Sequence, residues 1–178
     1  LERIEMSVRA DVAHLLGERD PLAHQNAHCL HGNFAKKIIA KGLGKGKTAH
    51  ALWLEKHASL LQRVKREPLV AHHQAQYGDL PIWAAIEVWD FGQLSKLFAG
   101  MLYADQEIIG MSYGAPNGKA FSQWLRSLNF IRNVAAHHSR LWNINVLELS
   151  PAPKNWLPLS NARPFFYFCL MQALLKVI

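Results

Sequence analysis

The sequence has only two cysteines, Cys29 and Cys169, and no CxxC pair. It therefore lacks a disulfide framework, and this favours a reducing, cytoplasmic environment. It also lacks an apolar run of roughly 20 residues, the length that a membrane-spanning helix needs. The most apolar segment, residues 165–178, is shorter and predicts a buried core helix. A membrane span stays open as the alternative, because the chain ends inside this run.

Acidic residues are missing from one long stretch of the chain. No Asp or Glu lies between Glu107 and Glu148, although four basic residues do. Residues 36–66 form a second basic region, with nine Lys or Arg and a single acid, Glu55. Together with a formal net charge of +7, this distribution favours a polyanionic partner, either nucleic acid or an anionic membrane surface.

Length and composition place the chain among globular proteins. Half of its 178 residues are apolar and 19% are charged, which excludes wholesale disorder. We expect a single domain over residues 1–178, long enough to bury a sizeable core. The chain opens on Leu1 rather than Met and stops inside an apolar run, so we interpret it as part of a longer polypeptide.

Apolar residues recur at three- and four-residue intervals, which predicts an all-α helical bundle. We find no internal repeat and no strand pattern. Pro81 and Pro164 stand where helices start, and Asp90 with Gln93 resembles a capping box. The predicted helices cover residues 1–16, 52 to about 68, 70–77, 81 onward, 90–102, 105–114, 119–141 and 164–178.

The predicted helix over residues 119–141 ends in the stretch "RNVAAHHSRLWN", residues 132–143. On a helical wheel its apolar residues share one side, and they are Trp124, Leu128, Ile131, Ala135 and Trp142. The polar residues follow the opposite side, and they are Arg126, Asn129, Asn133, His137 and Arg140. Arg132 lies at the flank of this stripe, and His138 points about 100° away from His137. A solvated face is the alternative, but such faces are usually built from Lys and Glu, whereas fixed guanidinium and amide donors suit phosphate.

These residues also carry a family resemblance. "RNVAAHHSRLWN" resembles the signature of the Abi-like (AbiD/AbiF-type) bacteriophage-resistance proteins, a branch of the HEPN superfamily. Arg132, Asn133 and His137 match its ribonuclease motif of Arg, a polar residue, a short spacer and His. "YGDLPIWAAIEVWDFGQLSKLF" (residues 77–98), "WLRSLNFIRN" (124–133) and the N-terminal helix are similar to this family as well. Ala135 departs from it, since many relatives have Cys there.

The resemblance implies a HEPN-like helical fold and a metal-independent endoribonuclease of a phage-defence (abortive infection) or toxin–antitoxin system. Attack by the 2′-hydroxyl on the adjacent phosphate would leave a 2′,3′-cyclic phosphate. His137 would exchange protons as general base or acid, and Arg132 would stabilise the charge of the transition state. Asn133 would orient the imidazole or the phosphate, and Arg140 would hold substrate phosphate. Arg126, Asn129 and His138 are further candidates for RNA contacts, with a structural role equally open for His138.

The resemblance also implies a homodimer in which the two motif helices face each other, and an antitoxin that is a protein or a small RNA. Since many members of the superfamily have lost activity, a catalytically inactive RNA-binding or protein-interaction module is the alternative. We expect no cofactor.

Three other groups of residues have the composition of possible functional sites. The glycine-rich stretch 42–47 lacks the spacing of a phosphate-binding P-loop and predicts a mobile basic loop. We expect Lys45 and Lys47 of this loop, and the adjoining Lys41, to contact RNA backbone. A zinc site at His24, His28, His31 and Cys29 is disfavoured, because this region predicts a loop and has no clear fourth ligand. The following tryptophans are interpreted as core residues: Trp83, Trp89, Trp124 and Trp142.

Overall fold

The computed structural model of the chain describes residues 1–42, 44–137, 140–153, 156 and 158–178. Over these residues the chain is helical and has no β-strand, only two isolated bridges, so the all-α prediction is confirmed. The α-helices are α1 (Glu2–Arg19), α2 (Gly32–Ala35), α3 (Ala49–Val64), α4 (Pro68–Tyr77), α5 (Ile82–Ala85), α6 (Phe91–Gly100), α7 (Tyr103–Ser112), α8 (Gly118–Ala136) and α9 (Pro164–Leu174). Short 3₁₀ turns cover Ala27–Cys29, Ile86–Val88 and Leu141–Asn143.

The chain forms two compact units. Unit 1 contains Leu1–Val8 and Tyr103–Ile178, and unit 2 contains Arg9–Leu102. The single domain over residues 1–178 remains a prediction. The first helix follows its apolar pattern, because Ile4, Val8, Val12 and Leu16 are all completely buried.

Helix boundaries in unit 2 are set by local capping. The Thr48 side chain accepts a hydrogen bond from Ala51 N at 3.0 Å and starts α3. Asp90 accepts one from Gln93 N at 2.7 Å and starts α6. Helix α4 ends at Gly78, whose φ of 80° lies in the left-handed region that glycine adopts without strain. The signals at Asp90 and Gly78 are those that the sequence analysis uses, whereas α3 begins at Ala49, three residues before the predicted start.

Helices α7 and α8 of unit 1 approach each other closely at two glycines. A Cβ atom on Gly118 would lie only 2.4 Å from the Gln106 carbonyl carbon, and one on Gly110 would lie 3.0 Å from Gly118 Cα. In addition, the Glu107 carboxylate accepts a hydrogen bond from Gly118 N at 2.7 Å. An acid at the N-terminus of a helix is also favoured by the helix dipole. The backbone of α8 is therefore fixed at its first residue.

The last helix, α9, belongs to the core of unit 1. Phe166, Tyr167, Leu170 and Leu174 are at most 1% exposed, and the Tyr167 hydroxyl donates to Asn161 O at 2.9 Å. Within the described residues, none of the helices has the length and apolar character that crossing a membrane requires. The interpretation of this segment as a core helix is confirmed for one face of α9, whereas Phe165 and Phe168 on the helix and Val177 beyond it are exposed.

Two of the four tryptophan predictions are wrong. Trp89 and Trp124 are buried as predicted, but Trp83 is 52% exposed and Trp142 is 77% exposed. Trp83 lies in α5, which has a single turn. A helix this short has too few residues on one face for spacing alone to show which of its side chains reach the core.

Candidate functional site at the end of helix α8

Helix α8 is anchored at its N-terminus and along its buried face. The Asn117 side chain caps the helix by accepting from Ala120 N at 2.8 Å. On the buried face, Trp124 Nε1 donates to Pro151 O at 2.7 Å, and Ser127 Oγ donates to Glu148 O at 2.6 Å. The buried apolar residues of this face are Phe121, Trp124, Leu125, Leu128 and Ile131. The opposite face is thereby held toward solvent.

The predicted catalytic residues lie at the end of α8, with Arg132 and Asn133 on the helix and His137 directly after it. All three are exposed. Arg132 Nη1 donates to Asn133 Oδ1 at 3.2 Å, and His137 N donates to Asn133 O at 3.1 Å. The structure therefore joins the side chains of Arg132 and Asn133, whereas the bond between Asn133 and His137 links backbone groups only.

The helix ends earlier than predicted. Residue 136 is its last residue, and His137, with φ −90° and ψ 15°, is its C-cap rather than a mid-helix position. Arg140 is exposed and precedes the 3₁₀ turn Leu141–Asn143. The prediction that the helix continues to residue 141 and carries Arg140 on its polar stripe is therefore wrong, because the helical geometry stops at residue 136. His138 lies outside the described residues.

Two residues of the predicted core stripe are exposed, and the early end of the helix explains one of them. Trp142 lies beyond the helix and is largely exposed. Ala135 is on the helix but is also exposed, at little energetic cost because its side chain is a single methyl group. The described part of the motif, residues 132–137 and 140–143, thus presents a larger exposed surface than the wheel predicts.

One cation of the predicted polar stripe has an acidic partner. Arg126 Nε lies 3.4 Å from Glu148 Oε2, and both side chains are more than half exposed. Glu148 is distant from Arg126 in sequence, but its backbone O accepts a hydrogen bond from Ser127 and holds it beside α8. An acidic side chain therefore lies next to the part of the sequence that has no Asp or Glu. Within the described residues, Arg132 and Arg140 form no ion pair. Asn129 is half-buried on the same helix.

The basic loop of unit 2 is exposed and closed by backbone hydrogen bonds. Ile39 N donates to Lys47 O at 2.9 Å, and Gly46 N donates to Ile39 O at 3.0 Å. Lys41, Lys45 and Lys47 are exposed, but Lys47 Nζ pairs with Glu55 Oε1 at 2.5 Å. Leu43 lies outside the described residues. Of the three lysines that are predicted to contact RNA, Lys41 and Lys45 thus form no ion pair within the described residues.

The histidines of the disfavoured zinc site lie in different environments. His31 Nδ1 accepts from Phe34 N, and its Nε2 donates to Ala99 O at 2.8 Å, so both ring nitrogens are occupied. His24 is completely buried in unit 2, whereas His28 is exposed. In the part of the chain that the structure describes, no three His, Cys, Asp or Glu side chains are grouped so that they could hold a metal ion.

His24 instead belongs to a buried aromatic cluster with His57, Trp53 and Trp89. The His24 and His57 rings are 5.1 Å apart, and Trp89 Nε1 donates to His57 Nδ1 at 2.9 Å. Burial lowers the pKa of His24 to about 3, helped by repulsion from His57 and His50 and opposed by Asp20. Burial likewise lowers the pKa of His57 to about 4, opposed by Asp79. This cluster is not predictable from the sequence, because isolated histidines give no signal that distinguishes core from surface.

Comparison with known proteins identifies a family. The family model described as Abi-like protein matches residues 1–143. The matched range includes Arg132, Asn133, His137 and Arg140. No curated protein and no solved structure matches the chain.

Proposed function

Because the chain belongs to the Abi-like protein family, we propose that it is a metal-independent endoribonuclease of the HEPN type. Membership of the family indicates a role in phage defence through abortive infection. The finer proposal is that the protein cuts RNA in the cytoplasm, where a protein or small-RNA antitoxin restrains it. The observation that carries this proposal is the exposed group of Arg132, Asn133 and His137 on and just after one helical turn.

In the proposed reaction, His137 of one subunit accepts the proton of a ribose 2′-hydroxyl. The 2′-oxygen then forms a bond to the adjacent phosphorus, and the bond from phosphorus to the 5′-oxygen breaks. The leaving oxygen takes a proton from an acid, and the products are a 2′,3′-cyclic phosphate and a 5′-hydroxyl. An imidazole is suited to both proton transfers near neutral pH.

Arg132 would stabilise the negative charge that gathers on the phosphate oxygens during this reaction. Its hydrogen bond to Asn133 Oδ1 supports this role, because it directs the guanidinium along the last turn of the helix. The carbonyl end of a helix disfavours a nearby anion by about 0.3–1 kcal/mol. Two cations without a described acidic partner, Arg132 and Arg140, would offset this cost.

A homodimer would supply the second proton-transfer group. A single exposed His137 can serve one end of the reaction, and a two-fold axis would bring a second copy of the same residue to the other end. Sedimentation in moderate salt, with and without RNA, tests this proposal. A monomer that cuts RNA at the full rate under both conditions would rule out the composite site.

Cleavage of total RNA by wild-type protein, His137→Ala and Arg132→Ala tests the mechanism. We expect both variants to lose cleavage while keeping the wild-type melting temperature, because both side chains are exposed. His28→Ala is the matched control, since His28 is an exposed histidine of the other unit. Wild-type cleavage should survive EDTA and leave cyclic phosphate ends. A wild-type rate in His137→Ala, or an activity that EDTA removes and a divalent ion restores, would contradict the proposal.

The exposed basic loop supports a second candidate, a non-catalytic RNA-binding module. Lys41 and Lys45 would then contribute phosphate contacts whose strength falls as salt rises. Replacing Lys41, Lys45 and Lys47 together by Ser should reduce the slope of log affinity against log salt. Binding without any cleavage would favour this candidate, and an unchanged slope would remove the loop from the RNA-binding surface.

A further inference from the structure

Trp142 is more exposed than any other Phe, Tyr or Trp side chain in the described part of the chain, at 77%. It belongs to the 3₁₀ turn Leu141–Asn143, which follows the end of α8 and lies against both α8 and α9. Single exposed apolar side chains are ordinary on protein surfaces, so exposure alone assigns no function to this tryptophan. Its function has to follow from how it is held and from what surrounds it.

The segment that carries Trp142 is anchored on both sides of it. Leu141, directly before it, is half-buried, and Ile144 N donates to Leu141 O and closes the turn. Further on, Val146 is 2% exposed, and its N donates to Ala162 O at 2.9 Å. The indole is therefore presented from a fixed backbone. A ligand that covers it would have to order little besides the indole itself, which lowers the entropic cost of binding.

The surface around Trp142 is cationic and polar. Arg140 lies two residues before it, is exposed, and forms no ion pair within the described residues. Asn143 and Asn145 are exposed as well, and each amide can both donate and accept hydrogen bonds. No Asp or Glu occurs in residues 132–147. An aromatic plane, a guanidinium group and two amides are therefore exposed on one short segment.

We propose that Trp142 stacks on one base of the bound RNA while Arg140 contacts a neighbouring phosphate. The inference rests on the proposed function, because the RNA is the strand whose phosphate is cut at His137, five residues before Trp142. An unpaired strand offers both partners at once, since its bases expose flat faces to aromatic side chains and its phosphates are anionic. The stacked base would hold the strand in register, and this would position the scissile bond beside His137.

Two other polyanions fit this surface less well. A double helix would satisfy Arg140, but its bases are stacked on one another and leave no free face for Trp142. An anionic membrane surface would accept the arginine and the indole. The exposed amides of Asn143 and Asn145 would then lose water without a defined hydrogen-bond partner.

Fluorescence anisotropy of labelled RNA tests the proposal in the His137→Ala chain, which we expect not to cut RNA. Trp142→Ala should weaken the binding of a short single-stranded RNA by about tenfold, the usual effect of removing one base stack. It should leave unchanged the affinity for a ribose-phosphate chain of equal length that lacks bases. Arg140→Ala should weaken the binding of both chains, because both carry phosphates.

Two further variants separate stacking from a general loss of surface. Trp142→Phe should keep most of the affinity, because a phenyl ring also stacks on a base. Trp83→Ala is the matched control, since Trp83 is an exposed tryptophan of the other unit, and it should bind like its parent. Equal melting temperatures establish that each variant is folded, as the exposure of both tryptophans leads us to expect.

A loss in Trp142→Ala that is confined to RNA with bases, and is absent in Trp83→Ala, would support the proposal. An equal loss for both chains, an unchanged affinity for single-stranded RNA, or no RNA binding by the parent chain would overturn it. A Trp142→Ala chain whose sedimentation differs from that of its parent would also overturn it, because the residue would then belong to a subunit interface. Binding to anionic lipid vesicles that depends on Trp142 would overturn it as well.

The same measurements separate this inference from the proposed function. If RNA binding depends on Trp142 but the wild-type chain cuts no RNA, the ribonuclease proposal fails and the stacking contact remains. If the wild-type chain cuts RNA and Trp142→Ala binds it equally well, the stacking contact fails and the ribonuclease proposal remains.

Discussion

Acidification from about pH 7 to about pH 5 should destabilise unit 2, because it contains two histidines that are buried in the neutral form. The pKa of His24 is lowered from 6.5 to about 3, and that of His57 from 6.5 to about 4. The unfolded chain therefore binds protons as the pH falls through 6.5, whereas the folded chain does not until the pH approaches 4. The stability that the two neutral histidines contribute is therefore fully present above pH 6.5, and it is lost as the pH falls from 6.5 toward their lowered pKa values.

The size of the effect follows from the same values. One pKa unit corresponds to about 1.4 kcal/mol, so each histidine should lower the free energy of unfolding by about 2 kcal/mol between pH 7 and pH 5. The two together give about 4 kcal/mol, a large part of the stability of an ordinary domain. Asp20 and Asp79 oppose the pKa shifts, but burial dominates for both histidines. Most carboxylates titrate below this window, so they add little to the change.

Urea unfolding followed by tryptophan fluorescence at several pH values measures this loss, since Trp53 and Trp89 contact both histidine rings. His57→Gln should remove about half of the pH dependence, because glutamine does not titrate and its Oε1 can still accept from Trp89 Nε1. His28→Gln, at an exposed position, should leave the pH dependence unchanged. A free energy of unfolding that is equal at both pH values, or a His57→Gln chain as pH-sensitive as wild type, would refute the reasoning.

Further substitutions test the packing and the surface of unit 1. Gly118→Ala should destabilise the protein by about 1–3 kcal/mol, because its Cβ would collide with the Gln106 backbone; an unchanged melting temperature would mean that α7 and α8 separate easily. Glu148→Ala should cost less than about 1 kcal/mol, since its pair with Arg126 is exposed; a larger loss measured by urea unfolding would contradict this. Trp142→Ala should change stability by no more than about 0.5 kcal/mol; a loss typical of a buried tryptophan would return this residue to the core.

Local sequence signals were sufficient to predict several helix boundaries. Asp90 and Pro164 stand where α6 and α9 begin, and Gly78 ends α4. Each signal acts on backbone groups within about three residues, so the sequence contains the whole interaction.

Features that depend on distant residues were not predictable in this way. No Gly or Pro marks the end of α8 at Ala136, and extrapolation of the wheel placed Arg140 and Trp142 incorrectly. The pairing of Arg126 with Glu148 depends on a segment that returns to α8 through hydrogen bonds to Trp124 and Ser127. The burial of His24 and His57 depends on the packing of several segments of unit 2, which periodicity along one segment does not encode. The contact between Arg132 and Asn133 joins neighbouring residues, so the sequence already places these two side chains side by side.

The glycines of the basic loop have a consequence for how this protein can evolve. Gly42, Gly44 and Gly46 all have φ between 82° and 88°, where other residues are disfavoured by about 1–2 kcal/mol each. At Gly44 a Cβ would also lie 2.4 Å from Leu52 Cδ1, so the Leu52 side chain would have to move. The lysines between and beside them are exposed and have no such constraint. Substitution of these lysines can therefore change the charge of the loop one residue at a time, while the glycines keep the backbone conformation that they require.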